Sequence, residues 1–302
     1  MDNSAFDVII IGGSFAGLSA GMSLGRSMRS VLIIDSGKPC NAQTPHSHNF
    51  ITQDGETPAD IAAKAKAQVS QYKTVQFFKG KAESAAKKDN LFEVVAETGE
   101  RFDAKKLILA SGVRDLMLPI PGFAECWGIS ILHCPYCHGY EVRNEALGVL
   151  ANGPMAFEFA KFIYNWSKNL VLFTNGPDTI PPELRQKLLD KGISIHEKEI
   201  ERFDHERGHL KNIVFKDGTQ HSLTALFARV PFEQNTKIPE MLGCTMTDMG
   251  LIQVDDFQKT TVPGVYAAGD CTTMFRAVSV AAASGTKAGA LSNKELGDEI
   301  FE

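Results

Sequence analysis

The 302-residue sequence lacks the features that identify several common protein classes. No stretch approaches the roughly 18 consecutive apolar residues of a membrane-spanning helix, and the first residues carry no basic segment typical of a signal peptide. Six cysteines are too few for a disulfide-stabilised scaffold, and a net charge of −5 provides no basic surface for nucleic acid. We therefore predict a cytoplasmic protein without nucleic-acid or membrane partners.

The composition that remains is typical of a folded globular chain. Hydrophobic residues make up 43% of the sequence and charged residues 22%, which excludes intrinsic disorder. At about 150 residues per domain, this length corresponds to two domains.

A strand, a glycine-rich turn, a helix and a second strand follow one another at the N-terminus. The apolar run 6–11 leads into the turn Gly12-Gly13-Ser14-Phe15-Ala16-Gly17, and the apolar run 31–34 ends in Asp35. Glycines let the backbone approach a pyrophosphate at the start of a helix, and an acidic residue about 20 positions later binds a ribose hydroxyl. Because Asp35 follows Gly17 by 18 residues, the sequence predicts a dinucleotide-binding βαβ unit.

The same pattern recurs 139 residues later in a weaker form. Ala151, Gly153 and Ala156 take the places of turn residues, and Thr174 takes the place of Asp35. A proline follows Gly153 where a helix amide would bind phosphate, and a threonine cannot bind a ribose diol as a carboxylate does. We predict that this second unit keeps the fold but has lost nucleotide binding.

Two further apolar runs end in turns of small residues. The run 106–109 leads into Ala110-Ser111-Gly112, and the run 262–268 leads into Gly269-Asp270. An alanine- and glycine-rich segment at helical spacing, 277–290, follows the second turn. These patterns predict an α/β protein with two Rossmann-like, doubly wound domains.

A pair of cysteines in Cys134-Pro135-Tyr136-Cys137 carries the clearest chemical signal. Such a pair cycles between dithiol and disulfide when one thiol has a lowered pKa. Pro135 suits the first position of a helix, which would place Cys134 at its positive end. His138 and His133 flank the pair and can take or give a proton near pH 7. We therefore take Cys134, Cys137, His138 and His133 as candidate catalytic residues.

Other interpretations of these cysteines and histidines remain open. Cys-x-x-Cys-His is also the attachment signature of c-type haem, which requires an exported protein. A zinc site needs four ligands, and those in this segment are too crowded for a good tetrahedron, so we predict no metal. We expect the remaining cysteines to be small buried residues: Cys40, Cys126, Cys244 and Cys271. We expect His46 and His48 to be ordinary loop histidines, and His133 has the same alternative role.

Together these motifs resemble the low-molecular-weight thioredoxin reductase family of flavoproteins over essentially the whole chain. The resemblance implies one FAD-binding domain, formed by residues 1–115 and 245–302. A second, pyridine-nucleotide-type domain, residues 116–244, is inserted in it and carries the cysteine pair. It also implies a homodimer.

The resemblance implies FAD as the cofactor, with Asp35 on the adenosine ribose and Asp270 on the ribityl chain. It further implies FAD contacts from Gly12, Ser14, Phe15, Ala16, Gly17, Gln43, Asn49, Ala82, Ser111, Gly112, Gly269, Ala277 and Val278. Of the two cysteines, Cys137 would face the flavin and Cys134 would react with the substrate sulfur.

The sequence departs from the family's pattern in two places. The family normally has a glycine-rich turn and a basic His-Arg-Arg cluster for NADPH, whereas this chain has Ala151-Asn152-Gly153-Pro154 and Thr174-Asn175-Gly176. The family also has an aspartate after the second cysteine, where this chain has His138. Cys-Pro-Tyr-Cys-His is similar to the branch of dithiol oxidases that close disulfides in small molecules and pass electrons to oxygen. Relatives without NADPH sites, some driven by ferredoxin, are a second precedent.

We therefore predict an FAD-dependent thiol/disulfide oxidoreductase that works without NADPH. Its substrate would be a thioredoxin-like protein or a small-molecule dithiol or disulfide, and its electron partner oxygen or ferredoxin. The alternatives are an NADPH-dependent thioredoxin-disulfide reductase and a non-catalytic flavin-binding scaffold.

Overall fold

A computed structural model describes residues 5–301, which form two compact units. The first unit contains the described residues up to Ala42, the segment Ala59–Arg114 and the described residues from Phe232 onward. The second unit contains Gln43–Pro58 and Asp115–Pro231. One unit is thus built from three separate stretches of chain.

These units differ from the predicted boundaries in two segments. Residues 43–58 belong to the second unit, where the Gln43 side chain donates hydrogen bonds to the carbonyls of Ala124 (3.1 Å) and Trp127. Residues 232–244 belong to the first unit, where Ile238 lies fully buried in the core. Neither segment has a composition that distinguishes the two units, so the contacts appear only in the fold.

The chain contains seventeen strands and eight helices in the described residues. The strands are β1 (Phe6–Ile11), β2 (Val31–Asp35), β3 (Val75–Lys79), β4 (Ala82–Lys88), β5 (Leu91–Ala96), β6 (Arg101–Leu109), β7 (Val113–Asp115), β8 (Ile131–Leu132), β9 (Leu147–Leu150), β10 (Leu170–Phe173), β11 (Ser194–His196), β12 (Ile200–Glu206), β13 (His209–Phe215), β14 (Gln220–Ser222), β15 (Ala225–Ala228), β16 (Phe232–Gln234) and β17 (Val265–Ala267). The helices are α1 (Phe15–Arg26), α2 (Pro58–Val69), α3 (Phe123–Cys126), α4 (Pro135–His138), α5 (Pro154–Ile163), α6 (Pro182–Asp190), α7 (Ile238–Met241) and α8 (Val278–Phe301).

The first unit is built on a seven-stranded sheet of order β3-β2-β1-β6-β5-β4, with β17 also paired to β6. The strands β3, β2, β1, β6 and β17 pair in parallel, and β4 and β5 continue the sheet as an antiparallel hairpin. The parallel strands are nearly continuous apolar runs because both faces of the sheet are covered. In β1, Ile9 and Ile11 enter one core, and Val8 and Ile10 enter the other.

Helices α1 and α8 pack closely in the first unit. A Cβ atom at Gly285 of α8 would lie 2.0 Å from the carbonyl oxygen of Ala16 in α1. One turn later on α8, a Cβ atom at Gly289 would lie 2.6 Å from the carbonyl oxygen of Ala20. The alanine- and glycine-rich sequence of α8 therefore allows backbone-to-backbone packing beside the turn that follows β1.

The second unit contains a five-stranded parallel sheet and a three-stranded antiparallel sheet. The parallel sheet has the order β11-β10-β9-β15-β8, and α5 lies between β9 and β10 in the chain. Its β9-α5-β10 segment repeats the β1-α1-β2 segment of the first unit, which confirms the prediction of two Rossmann-like units. Among residues 5–301, no helix is both long enough and apolar enough to cross a membrane.

Candidate active site

The carboxyl ends of three parallel strands meet at one edge of the first sheet. Leu109 of β6 pairs with Ile11 of β1 and with Ala267 of β17. The three turns predicted to bind a cofactor, which follow these strands, therefore lie at the same edge. In parallel α/β sheets, this edge is where ligands bind.

In the turn after β1, the backbone of Gly12 lies very close to the backbone of a neighbouring turn. Gly12 has φ of +107°, and a Cβ atom there would lie 2.2 Å from the carbonyl oxygen of Ala110. Ser14 forms the N-cap of the twelve-residue helix α1 and makes no side-chain cap hydrogen bond within the described residues. The first amides of a helix have no intrahelical partners, so those of Phe15, Ala16 and Gly17 suit an anionic ligand.

Asp35 is held against the same turn. Its Oδ1 accepts a 3.1 Å hydrogen bond from the Gly13 amide. The carboxylate at the end of β2 is thus fixed beside the glycine turn, in the place where a ribose hydroxyl binds in dinucleotide folds.

The turns after β6 and β17 add polar groups to this edge. The Ser111 hydroxyl is buried and has no hydrogen-bond partner within residues 5–301. The Gly269 amide donates to the Ser284 hydroxyl at 3.0 Å, and Asp270 Oδ2 accepts from Arg276 Nε at 3.4 Å. A buried hydroxyl without a partner is unfavourable by about 1–3 kcal/mol, so Ser111 is a group that a bound ligand would satisfy. Together with the glycine turn, this edge fits a dinucleotide cofactor.

The other predicted cofactor residues lie in both units. Gly112 follows Ser111 directly, Ala277 and Val278 lie at the start of α8, and the buried Ala82 begins β4, all in the first unit. Gln43 and Asn49 belong to the second unit instead. There the backbone amide of Asn49 donates a hydrogen bond to Asp54 Oδ1 at 2.7 Å.

Cys134 and Cys137 form a disulfide in the second unit, with their Cα atoms 5.3 Å apart. Cys134 is the N-cap of α4 and Pro135 its first residue, which confirms the predicted helix start. The Cys134 carbonyl accepts hydrogen bonds from the amides of Cys137 and His138, each at 3.2 Å. Because α4 is one turn long, its dipole is small, and these local bonds are what position the pair.

The remaining cysteines take no part in this pair. Cys126, Cys244 and Cys271 are buried, as predicted, whereas Cys40 is exposed, contrary to the prediction. Burial raises the pKa of the Cys271 thiol to about 12, so this thiol is unreactive near neutral pH. In the described part of the chain, no group of three histidine, cysteine, aspartate or glutamate side chains is placed to hold a metal ion.

Three histidines surround the disulfide segment. The His133 ring stacks on Trp127 with centroids 5.9 Å apart, and the His138 ring meets His48 edge to face at 6.4 Å. His48 lies on the segment 43–58, and we predicted it to be an ordinary loop histidine. Its contact with His138 had no sequence signal beyond the presence of two histidines at 46 and 48, because it joins residues ninety positions apart.

The environment of His138 makes it a neutral imidazole at pH 7. Burial, with the charges of His133 and His48, lowers the pKa of His138 to about 4. We predicted proton exchange near pH 7 in both directions. In the disulfide form, however, His138 is poised only to accept a proton, and a thiolate formed beside it would favour its protonated form.

An aromatic cavity in the second unit is lined by Tyr136, which lies between the two cysteines in the chain. The half-exposed Tyr136 ring packs edge to face against Phe162 at 5.5 Å and against Trp166 at 5.7 Å. These rings line a cavity of about 530 Å³, together with Met155, Phe159 and Arg229. Its volume lies within the range of small-molecule sites.

The side chain of Asn152 forms hydrogen bonds across the turn after β9. Asn152 Oδ1 accepts hydrogen bonds from the amides of Gly153 (2.7 Å) and Thr179 (2.9 Å). Asn152 Nδ2 donates to the carbonyl of Pro177 at 3.0 Å, and the buried Thr174 hydroxyl donates to the Gly176 carbonyl at 2.6 Å. The Gly153 amide and the Thr174 hydroxyl are therefore already engaged within the protein.

Comparison with known proteins agrees with this geometry. The model of the family "Pyridine nucleotide-disulphide oxidoreductase" matches residues 6–285. "Thioredoxin reductase tcpT" of Claviceps purpurea is 36% identical over 96% of this chain and 94% of its own length. The structure of a putative thioredoxin reductase from Bacillus anthracis superposes with a TM-score of 0.94 at 30% identity, covering 98% of this chain and all of that chain. An oxidoreductase structure from Agrobacterium tumefaciens superposes with a TM-score of 0.90 at 36% identity, covering 97% and 99%.

The similarity extends over the whole pattern of two Rossmann-like units and an inserted cysteine pair. Proteins of this family bind flavin, and the polar strand ends of the first unit fit that requirement. The chain belongs to the pyridine nucleotide-disulphide oxidoreductase family and is a thioredoxin reductase-like flavoprotein oxidoreductase.

Proposed function

We propose that the protein is an FAD-dependent thiol/disulfide oxidoreductase in which Cys134 and Cys137 exchange two electrons with a sulfur substrate, without NADPH. The observation that carries the proposal is the Cys134–Cys137 disulfide, formed in the same unit as a dinucleotide-type turn that Asn152 closes. Bound FAD would supply the two-electron acceptor or donor that regenerates the cysteine pair.

The first unit would hold FAD through the strand-end turns. The turn from Gly12 through Ser14, Phe15 and Ala16 to Gly17 would bind the pyrophosphate, and Asp35 would bind the adenosine ribose. Asp270 would bind the ribityl chain. The remaining proposed contacts are Ala82 near the adenine and Ser111, Gly112, Gly269, Ala277, Val278, Gln43 and Asn49 near the rest of the cofactor.

The cysteine pair would react by thiol–disulfide exchange. A substrate thiolate attacks the Cys134 sulfur, the Cys134–Cys137 bond breaks, and Cys137 leaves as a thiolate. His138 accepts the proton that the substrate thiol loses, which its neutral state at pH 7 allows. His133, stacked on Trp127, would be the second acid–base group beside the pair.

The absence of NADPH from this scheme is supported by the turn after β9. The Gly153 amide already donates a hydrogen bond to Asn152 Oδ1. Pro154, the first residue of α5, has no amide hydrogen to donate. Thr174 uses its hydroxyl within the protein. A pyrophosphate and a ribose would therefore have to displace existing hydrogen bonds at this turn.

The substrate would be a thioredoxin-like protein or a small-molecule dithiol or disulfide. The cavity that Tyr136 lines would offer aromatic contact to either kind of substrate. Oxygen or ferredoxin would be the second electron partner, and the family resemblance favours a homodimer.

An NADPH-dependent thioredoxin-disulfide reductase is the second candidate function. It is favoured by the names of relatives such as the Claviceps purpurea protein, which is called a thioredoxin reductase. A Michaelis constant for NADPH in the micromolar range would establish this candidate and contradict NADPH independence.

Cysteine variants of the flavin-loaded protein test the role of the pair. We expect Cys134→Ser and Cys137→Ser each to abolish turnover of a dithiol, measured by loss of free thiols with time. The control is Cys40→Ser, which alters an exposed cysteine outside the disulfide and should retain turnover. Normal turnover in a Cys134→Ser, Cys137→Ser double variant would contradict the proposed function.

A further inference from the structure

His48 connects the histidine beside the disulfide with two carboxylates at the surface. Its ring contacts His138, its Nδ1 lies 3.7 Å from Asp54 Oδ1, and its Nε2 lies 3.6 Å from Glu141 Oε1. Side-chain exposure increases along this series, from 20% at His48 to 40% at Glu141 and 68% at Asp54. His48 therefore lies between the His138 ring and carboxylates that are exposed to solvent.

The charges beside the two rings differ. A carboxylate faces each ring nitrogen of His48, so a positive charge on this ring is compensated from both sides. His138 has no such carboxylate in the described interactions; it faces the like charges of His48 and His133. In the described interactions, carboxylates therefore lie beside the ring nitrogens of His48 and not beside His138.

We propose that His48 is a positioning residue that carries protons between His138 and solvent during each redox cycle of the Cys134–Cys137 pair. This inference rests on the proposed function, because it requires the pair to react with thiols. Because the ring centroids lie 6.4 Å apart, the proposed route includes one water that passes the proton from ring to ring.

The proton balance of substrate oxidation defines what His48 must carry. The first substrate thiol gives its proton to His138 as its sulfur bonds to Cys134, and Cys137 leaves as a thiolate. The second substrate thiol loses its proton as its sulfur bonds to the first substrate sulfur, and Cys134 leaves. The substrate is oxidised by two electrons and the pair is reduced by two. One proton returns to Cys134, and the other passes through His48 to solvent.

His46 provides a matched control on the same loop. It lies 6.4 Å from His48, but its Nδ1 faces the Gly55 carbonyl at 2.9 Å and its side chain is exposed. His46→Gln therefore changes a neighbouring histidine without interrupting the series from His138 to solvent.

The test compares His48→Gln with His46→Gln in the flavin-loaded protein. We expect His48→Gln to slow flavin reduction by dithiothreitol about 10-fold at pH 7, less than the loss of a direct acid–base group, because water partly replaces the ring. Added imidazole should restore the rate of His48→Gln and leave His46→Gln unchanged. Glu141→Gln keeps the His48 ring and removes one of its two carboxylates, so it should slow flavin reduction less than His48→Gln does. It replaces His48→Gln in this test if that variant does not fold.

A second measurement does not depend on turnover. In the oxidised protein, NMR titration of the His138 ring should show a higher pKa in His48→Gln than in the wild type, because a like charge has been removed. Equal rates, equal pH profiles and an unchanged His138 titration in His48→Gln and His46→Gln would overturn the inference. If instead Cys134→Ser retains dithiol turnover, the proposed function itself fails.

Discussion

The Asn152 carboxamide joins the turn after β9 to the loop after β10, because its Oδ1 accepts a 2.9 Å hydrogen bond from the Thr179 amide. The same oxygen accepts from Gly153, and the amide nitrogen donates to Pro177. In the first unit, the corresponding glycine turn contains no such side chain, and its Gly13 amide binds Asp35 instead. One βαβ unit is thus open toward a ligand, and the other is closed by its own residue.

Replacing Asn152 should therefore affect stability and leave the redox reaction intact. We expect Asn152→Ala to lower the free energy of unfolding by about 1–3 kcal/mol, since several hydrogen bonds are lost together. Urea unfolding measures this, with Asn90→Ala in the exposed turn between β4 and β5 as control. Unchanged stability in Asn152→Ala would show that the carboxamide does not hold the turn.

Ser111 gives opposite predictions for the cofactor-free and the cofactor-bound protein. Because its buried hydroxyl has no partner in residues 5–301, Ser111→Ala should stabilise the cofactor-free protein by about 1 kcal/mol. If FAD satisfies this hydroxyl, the same variant should bind FAD about 5-fold more weakly, measured by fluorescence titration.

Ser292→Ala is the control for Ser111→Ala, because the buried Ser292 hydroxyl already donates to the Gly289 carbonyl at 3.0 Å. It should not stabilise the protein and should leave FAD affinity unchanged. Equal FAD affinity in Ser111→Ala and the wild type would place the cofactor away from this hydroxyl.

Two glycines of α8 should respond in opposite directions to the same substitution. Gly285→Ala places a Cβ atom against the Ala16 backbone and should destabilise the protein by about 3 kcal/mol, as measured by thermal or urea unfolding. Gly297→Ala meets only the end of the Arg29 side chain, at 3.9 Å, and should be neutral or stabilising by up to about 1 kcal/mol. Similar effects at both positions would contradict the close packing of α1 on α8.

The lowered pKa of His138 predicts a pH-dependent stability of the oxidised protein. The folded-state pKa of about 4 lies below the ordinary value of 6.5, so protons bind the unfolded state more tightly. Stability should be fully present above about pH 6.5 and decrease by up to about 3 kcal/mol as the pH falls to about 4.

His138→Gln should flatten this part of the stability profile, whereas His209→Gln, at an exposed histidine of β13, should leave it unchanged. Chemical unfolding at a series of pH values measures both. A profile of His138→Gln that still follows the wild type between pH 6.5 and 4 would contradict the burial of this ring.

The parallel strands of the first unit could be located from sequence. The apolar run 6–11 is β1 and the run 31–34 is β2 without its last residue, because strands buried on both faces must be continuously apolar. The runs 106–109 and 262–268 locate β6 and β17 but not their bounds. The start of α4 at Pro135 was predictable for a similar local reason, since proline suits the first helical position.

Contacts between distant parts of the chain could not be predicted from sequence. Gln43 and His48 contact residues of their own unit that lie about eighty to ninety positions away in the chain, and neither residue has a local pattern that indicates such a contact. The Asn152 side chain is likewise an ordinary turn residue in the sequence, and only the fold shows which groups it binds. The low pKa of His138 also depends on burial, which the sequence around it does not reveal.

The central claim is that electrons reach the flavin through Cys134 and Cys137 and not from NADPH. Anaerobic titration of the purified, flavin-loaded protein tests it most directly, with flavin absorbance followed after stoichiometric dithiothreitol, NADPH or NADH, and then after air. We predict that dithiothreitol bleaches the flavin of the wild type but not of Cys134→Ser, and that neither pyridine nucleotide does so. Rapid bleaching by stoichiometric NADPH, or bleaching of Cys134→Ser by dithiothreitol at the wild-type rate, would contradict the account.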